Sequence, residues 1–271
     1  MTLSLSEIST VGASFAEDLR AYAAAGFDGI GIWEMKLEGE DPASVVRLLR
    51  ESGLRATNCV PLVPSILPNS VIEGPEDVEE RIERLRVSMH RFAQFEPDCV
   101  LCLTGPAGGR DNAEARALVI DGLRRVAAAA DEAGVRLGLE PIHASERDSL
   151  TLITTIPETL DILDEAGLPG VGIMVDLWHL ADTPEIERHL TENVDRITGV
   201  HVAEWFAEPR DDRALPGERC VELMRVLHEA GWRGAWDVEI FGDPERNDSL
   251  WSHPVDDAAR RGYEAVRAAA P

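Results

Sequence analysis

The chain has 271 residues, with 50 acidic against 26 basic side chains, a formal net charge of −24 and 44% hydrophobic residues. That length suits one large domain or two small ones, and the apolar fraction excludes a disordered acidic chain. A surface this negative repels phosphate backbones and anionic lipid heads, which argues against nucleic-acid and membrane partners.

The chain opens on MTLSLSEIST, which lacks the basic and apolar regions of a secretory signal. Short strand-like runs then recur at residues 3–8, 29–35, 55–63, 99–105, 135–142, 171–179, 197–204 and 235–241. Helix-like segments rich in Ala, Leu, Arg and Glu fall at 14–25, 42–52, 75–94, 111–133, 155–166, 184–192, 217–230 and 254–269. Asp41-Pro42 and Thr183-Pro184 read as N-caps followed by proline in the first helical turn. ESGLR, DEAGVR, DEAGLPG and HEAGWRG each read as a helix closed by glycine before the next strand.

Eight strands alternating with eight helices give about 34 residues per unit over 271 residues, the expectation for a single (β/α)8 TIM barrel, typically ~250 residues long. A doubly wound sheet would place a glycine-rich phosphate turn after the first strand, and STVGAS is not one. Lys36, the only lysine, lies in no phosphate-loop motif. The barrel is expected to span 1–271 as one domain. Cys99 and Cys102 form a C-x-x-C, but inside a strand such residues face opposite sides, so they read as reduced core thiols of a cytoplasmic protein.

A barrel carries its chemistry at the C-terminal ends of its strands. Those ends hold Glu140 in LGLEPIH, Asp176 in IMVDLWH, His201 in GVHVAEW and Glu239 in WDVEIF. Two residues before them stand Gly138, Met174, Gly199 and Asp237, which therefore also face the barrel interior. The intervening Leu139, Val175, Val200 and Val238 are apolar and suit the helix-packed side. Three carboxylates and an imidazole converging without a nearby lysine repel one another unless a divalent cation joins them. The oxygen-rich, thiolate-free set favours Mg2+, Mn2+ or Co2+ over a structural zinc. Trp33, Trp178 and Trp205 fall at or just past strand ends and are candidates for the pocket wall.

From LGLEPIH to DVEIFGD the sequence resembles the sugar phosphate isomerase/epimerase family with its xylose isomerase-like TIM barrel, and the likeness extends over nearly the whole chain. The resemblance implies one divalent metal, Mn2+ first among Mg2+, Co2+ and Zn2+, bound by Glu140, Asp176, His201 and Glu239. It implies Glu140 and Glu239 as the acid/base pair, His179 as a substrate contact, and Arg210 or Arg213 as a ligand for substrate oxygens. The expected activity is isomerisation or epimerisation of a ketose or keto-polyol through a metal-stabilised enediolate. PGER, residues 216–219, departs from the family's P-G-x-G and lacks its second glycine.

The alternative reading is a metal-dependent lyase that eliminates from a 3-keto sugar glycoside, with His143 as the base and a small second subunit as partner. A non-catalytic sugar-binding barrel is a further alternative, and a homo-oligomer is compatible with each. A three-zinc abasic-site endonuclease would need histidines at the early strand ends, where EIST, WEMK, CVPLV and LTGP supply none.

Overall fold

The computed structural model describes residues 1–206, 213–246 and 249–271. Eight parallel strands close into a barrel in sequence order: β1 (Thr2–Ser6), β2 (Gly29–Trp33), β3 (Arg55–Val60), β4 (Cys99–Cys102), β5 (Leu137–Leu139), β6 (Gly172–Asp176), β7 (Ile197–Val202) and β8 (Ala235–Val238). Closure comes from β1, which pairs with β2 on one side and β8 on the other. The helices are α1 (Phe15–Ala25), α2 (Pro42–Ser52), α3 (Val78–Ala93), α4 (Asn112–Ala133), α5 (Ile156–Ala166), α6 (Leu177–Leu180), α7 (Ile186–Glu192), α8 (Glu218–Ala230) and α9 (Val255–Ala269). None among the described residues is long and apolar enough to cross a membrane.

Local chemistry sets the helix ends. Side chains of Ser14, Asp41, Asp77, Asp111 and Thr155 accept backbone N–H bonds at the starts of α1 to α5, contacts generally worth ~1 kcal/mol each. Gly53, Gly134, Gly167 and Gly231 close their helices in the left-handed region, as the four glycine junctions predict. Two readings change. The run 171–179 is not strand throughout: it turns into α6 at Leu177 because Asp176 caps that turn, accepting from Trp178 N at 2.8 Å. Thr183-Pro184 does not cap α7, which begins at Ile186 after Glu185 in a left-handed conformation.

Strand alternation divides two cores. Leu139, Val175, Val200 and Val238 join the large cluster beneath the helices. Val60, Cys99, Leu101, Leu103 and Met174 form a separate cluster inside the barrel. Cys99 and Cys102 accordingly lie in different clusters or on different faces, both are free, and burial pushes both thiols up to about 12.

Beyond β1, a buried polar knot fixes the rim. Glu7 accepts from Trp33 N at 2.9 Å, while Lys36 pairs with Asp18 and donates to Thr10 O. Burial, then the nearby Asp18 charge, raises the Glu7 pKa well above its ordinary value, so the folded state favours protonated Glu7. This contribution to stability is complete below the unfolded-state pKa and is lost as pH rises through the raised folded value. Glu7→Gln should therefore gain melting temperature relative to the parent between pH 5 and pH 8. Thermal denaturation at both values checks this, and a difference that shrinks as pH rises contradicts it.

Candidate metal centre and substrate pocket

The four strand-end residues do converge. Asp176 and His201 are register partners on adjacent strands, and His201 in turn pairs with Asp237 of β8. Ligand atoms of Glu140, Asp176 and His201 all lie within 4.8 Å of one another, and all three residues are buried. Glu239 is their neighbour: its Oε2 is 3.3 Å from His201 Nδ1, while Glu140 Oε1 is 3.9 Å from the same nitrogen. His201 Nε2 faces the other way, 3.8 Å from Asp237 Oδ2.

Asp237 stands on the barrel axis side of β8, where Thr57 and Asn58 donate to its Oδ2. Gly31 makes this possible, because a Cβ there would lie 2.5 Å from that oxygen. A metal-binding histidine commonly donates its second ring N–H to a carboxylate, and Asp237 is placed for that task.

Among the described residues, Glu140 Oε1 and both His201 nitrogens are buried without a hydrogen-bond partner. Unpartnered buried oxygens and nitrogens are costly, and a divalent cation would satisfy Glu140 Oε1 and His201 Nδ1, which face each other across the cluster. The residues present thus fit a divalent metal. The electrostatics agree. Burial, then the charges of Asp176 and Glu239, raises Glu140 well above the usual carboxylate range. Burial also pushes Glu239 up to about 8 and Asp237 up to about 7, and holds His201 down to about 3.

Arg213 is the cation this geometry supplies from the chain itself. Its Nη1 donates to Asp176 Oδ2 at 2.6 Å and to Glu239 Oε2 at 3.0 Å. Its guanidinium carbon sits 4.8 Å from the Trp178 ring centroid and 4.6 Å from that of Phe241. Burial opposes its charge, but Asp176, Glu239 and Glu140 outweigh that and raise its pKa. Two backbone bonds hold its segment: Arg213 N donates to Phe241 O, and Glu204 N donates to Ala214 O. Arg210 lies outside the described residues.

His179 is buried, with its Nδ1 3.2 Å from His143 N and its Nε2 3.1 Å from Arg213 Nη2. Burial, then the Arg213 charge, lowers its pKa well below the ordinary value and keeps it neutral. His143 itself stands outside the cavity wall. Its Nδ1 contacts Ser145 and its Nε2 lies 3.2 Å from Asp182 Oδ2.

One cavity of about 430 Å3 opens onto the cluster and is lined by Glu140, Glu239, His179 and Arg213. Trp33 and Trp178 line it as well, whereas Trp205 packs against the helix-side core instead. Phe241 and Glu146 also line it and were not singled out by sequence. The inward alternation 237, 239, 241 was the available signal for Phe241, and no comparable signal pointed to Glu146. Trp251 lies elsewhere, donating to Ile8 O and Ile240 O.

Two other acidic residues near strand ends are structural. Glu34 accepts from Leu62 N, Ser88 Oγ and Arg91, turned away from the cavity. Glu204 accepts from the backbone N–H groups of Gly217, Arg219 and Cys220 at the start of α8. That capping is how PGER closes without a second glycine, and Arg219 uses its side chain to hold Ala181 O.

A parallel eight-stranded barrel with a buried carboxylate–imidazole cluster at its C-terminal mouth defines a class of metal-site TIM barrels. The chain belongs to the xylose isomerase-like TIM barrel family, whose model matches residues 19–269. It is 27% identical to a 3-dehydroshikimate dehydratase of Pseudomonas aeruginosa over 94% of this chain and 40% of the dehydratase, so it spans well under half of that relative. It is 25% identical to an L-ribulose 3-epimerase of Methylomonas sp. over 90% of this chain and 88% of the epimerase. Protein SMc04130 of Sinorhizobium meliloti 1021 shares the fold, with a TM-score of 0.87 at 24% identity over 99% of this chain and 98% of that one.

If the cluster holds a metal, Asp176→Asn and His201→Ala should each retain under a tenth of the Mn2+ that the parent keeps after gel filtration. Elemental analysis of folded protein, verified by circular dichroism, reads this, and parent-like retention in both variants contradicts it.

Proposed function

We propose that this chain is a divalent-metal-dependent isomerase or epimerase that moves a proton on a carbon next to the carbonyl of a ketose or keto-polyol. The observation that supports this most is the pair Glu140 and Glu239, two carboxyl groups lining one cavity beside a cluster that fits a divalent cation. Glu140, Asp176, His201 and Glu239 would hold the ion, with Mn2+ the first choice for an oxygen-rich set. A divalent cation supplies the positive charge that acidifies the C–H beside a carbonyl and stabilises an enediolate oxygen.

The remaining work falls to the chain's own groups. Glu140 and Glu239 both line the cavity, where a carboxylate within reach of the C–H beside a bound carbonyl would act as the base. One glutamate takes the proton and the other returns it to the opposite face or the neighbouring carbon. Arg213 Nη2 and His179 Nε2 stand 3.1 Å apart at the cavity wall. A substrate oxygen reaching the guanidinium would accept from it and fix the carbonyl end.

A second reading, a lyase, is favoured by the likeness to the 3-dehydroshikimate dehydratase. Its first step is the same proton removal; then a C–O bond on the next carbon breaks, a C=C bond forms and water leaves. His143 is a poor base for it, being engaged by Ser145 and Asp182 outside the cavity. In this reading too, Glu140 or Glu239 takes the proton.

Incubation of Mn2+-loaded protein in deuterated water with L-ribulose and, separately, 3-dehydroshikimate, followed by NMR, separates the two. Deuterium entering next to the carbonyl of a recovered or epimerised ketose supports the first reading, and an unsaturated product supports the second. Glu140→Gln and Glu239→Gln should each slow turnover by ~10²–10⁴-fold, and His143→Ala by only a few-fold. Parent-like rates in both glutamate variants would sink the proposal.

A further inference from the structure

The cavity is divided by chemistry as well as by strand. Its polar groups come from β5 to β8 and the segments after them: Glu140, His179, Arg213 and Glu239. The facing wall, from β2 to β4, presents Trp33, Val60, Leu101 and Leu103, continued by Ile142 and Leu150 of the loop after β5. Most of these belong to the separate apolar cluster inside the barrel, with Trp33 and Ile72 packed against it. Among the described residues that line the cavity, Glu146 is the sole polar side chain on that side, and Ser149 Oγ already donates to it.

This wall suits a hydroxy-ketone with an apolar far end better than one hydroxylated throughout. Hydroxyls beyond a chelated carbonyl and its neighbouring hydroxyl would, where they reach β2 to β4, meet this apolar surface. There each would lose water without gaining a partner, a cost of ~1–3 kcal/mol per group. An apolar group gains from the same surface. Trp33 and Phe241, whose ring centroids are 5.8 Å apart at 73°, add aromatic surface where the wall meets the polar half. The cavity, about 430 Å3, falls within the ~300–1,000 Å3 range of small-molecule pockets and has room for a ring in addition to a chelating end.

We propose that the substrate carries an apolar, ring-sized substituent next to its hydroxy-ketone, and that the wall formed by β2, β3 and β4 seats it. The inference takes the chelating end from the function proposed above, and adds the class of molecule that end belongs to.

Three small probes share one α-hydroxy-ketone head and differ in tail: 2-hydroxyacetophenone (phenyl), hydroxyacetone (methyl) and dihydroxyacetone (hydroxymethyl). Calorimetric titration of Mn2+-supplemented protein should give a dissociation constant at least tenfold lower for the phenyl probe than for dihydroxyacetone, about 1.4 kcal/mol. Leu103→Asn, inside the barrel, and Ile72→Asn, nearer the rim, should each remove most of that preference for the phenyl probe over dihydroxyacetone. The rim variant keeps the test open if the interior one does not fold. Equal or tighter binding of dihydroxyacetone overturns the proposal, as does a phenyl preference that both variants leave intact. Repeating the titrations with EDTA isolates the underlying reading. A phenyl preference that needs no metal contradicts metal chelation of the head but not the apolar seat.

Discussion

The structure turns on the cost of holding Glu140, Asp176 and Glu239 out of water at one end of a barrel. Carboxylates in so dry a place must be neutralised by protonation or by a cation. Arg213 reaches only two of them, Asp176 and Glu239, and leaves Glu140 Oε1 and His201 Nδ1 without partners. The rest of the arrangement serves this cluster: Asp237 behind His201, the Asp176 cap that turns the chain into α6, and the backbone bond to Phe241 O that holds Arg213. A chain built only for stability would have little reason to keep such a group buried.

Much of this was legible because a strand's two faces alternate strictly. Once eight strand–helix units are recognised, the barrel follows, and parity alone puts Glu140, Asp176, His201 and Glu239 on one inner surface. The same parity carried one step further along the last strand would have named Phe241. What sequence could not resolve lies where alternation stops. Between Arg210 and Arg213 nothing periodic chooses, and Arg213 is fixed by its backbone bond to Phe241 O. Glu34 and Glu204 have the same residue type and strand-end position as a catalytic acid, yet bond to neighbouring segments and the start of α8. His143 has the right neighbours in sequence, but its ring pairs with Asp182, far along the chain.

The early strands teach a complementary lesson. Read for ligands, β2 to β4 offer neither histidine nor an inward carboxylate at their ends. Read for packing, Val60, Leu101 and Leu103 form a continuous apolar face opposite the charged one. One half of the barrel mouth thus concentrates charge, and the other is largely apolar. Under the proposed function, that partition separates two tasks: handling a proton and an oxygen on one side, and choosing the molecule on the other.

The most direct test of the central claim is a crystal structure grown with Mn2+ and its anomalous difference map. A single strong peak among Glu140, Asp176, His201 and Glu239, with the Arg213 guanidinium no longer bridging Asp176 and Glu239, is the predicted result. A map with no peak there, and Arg213 still bonded to both carboxylates at saturating Mn2+, would contradict it.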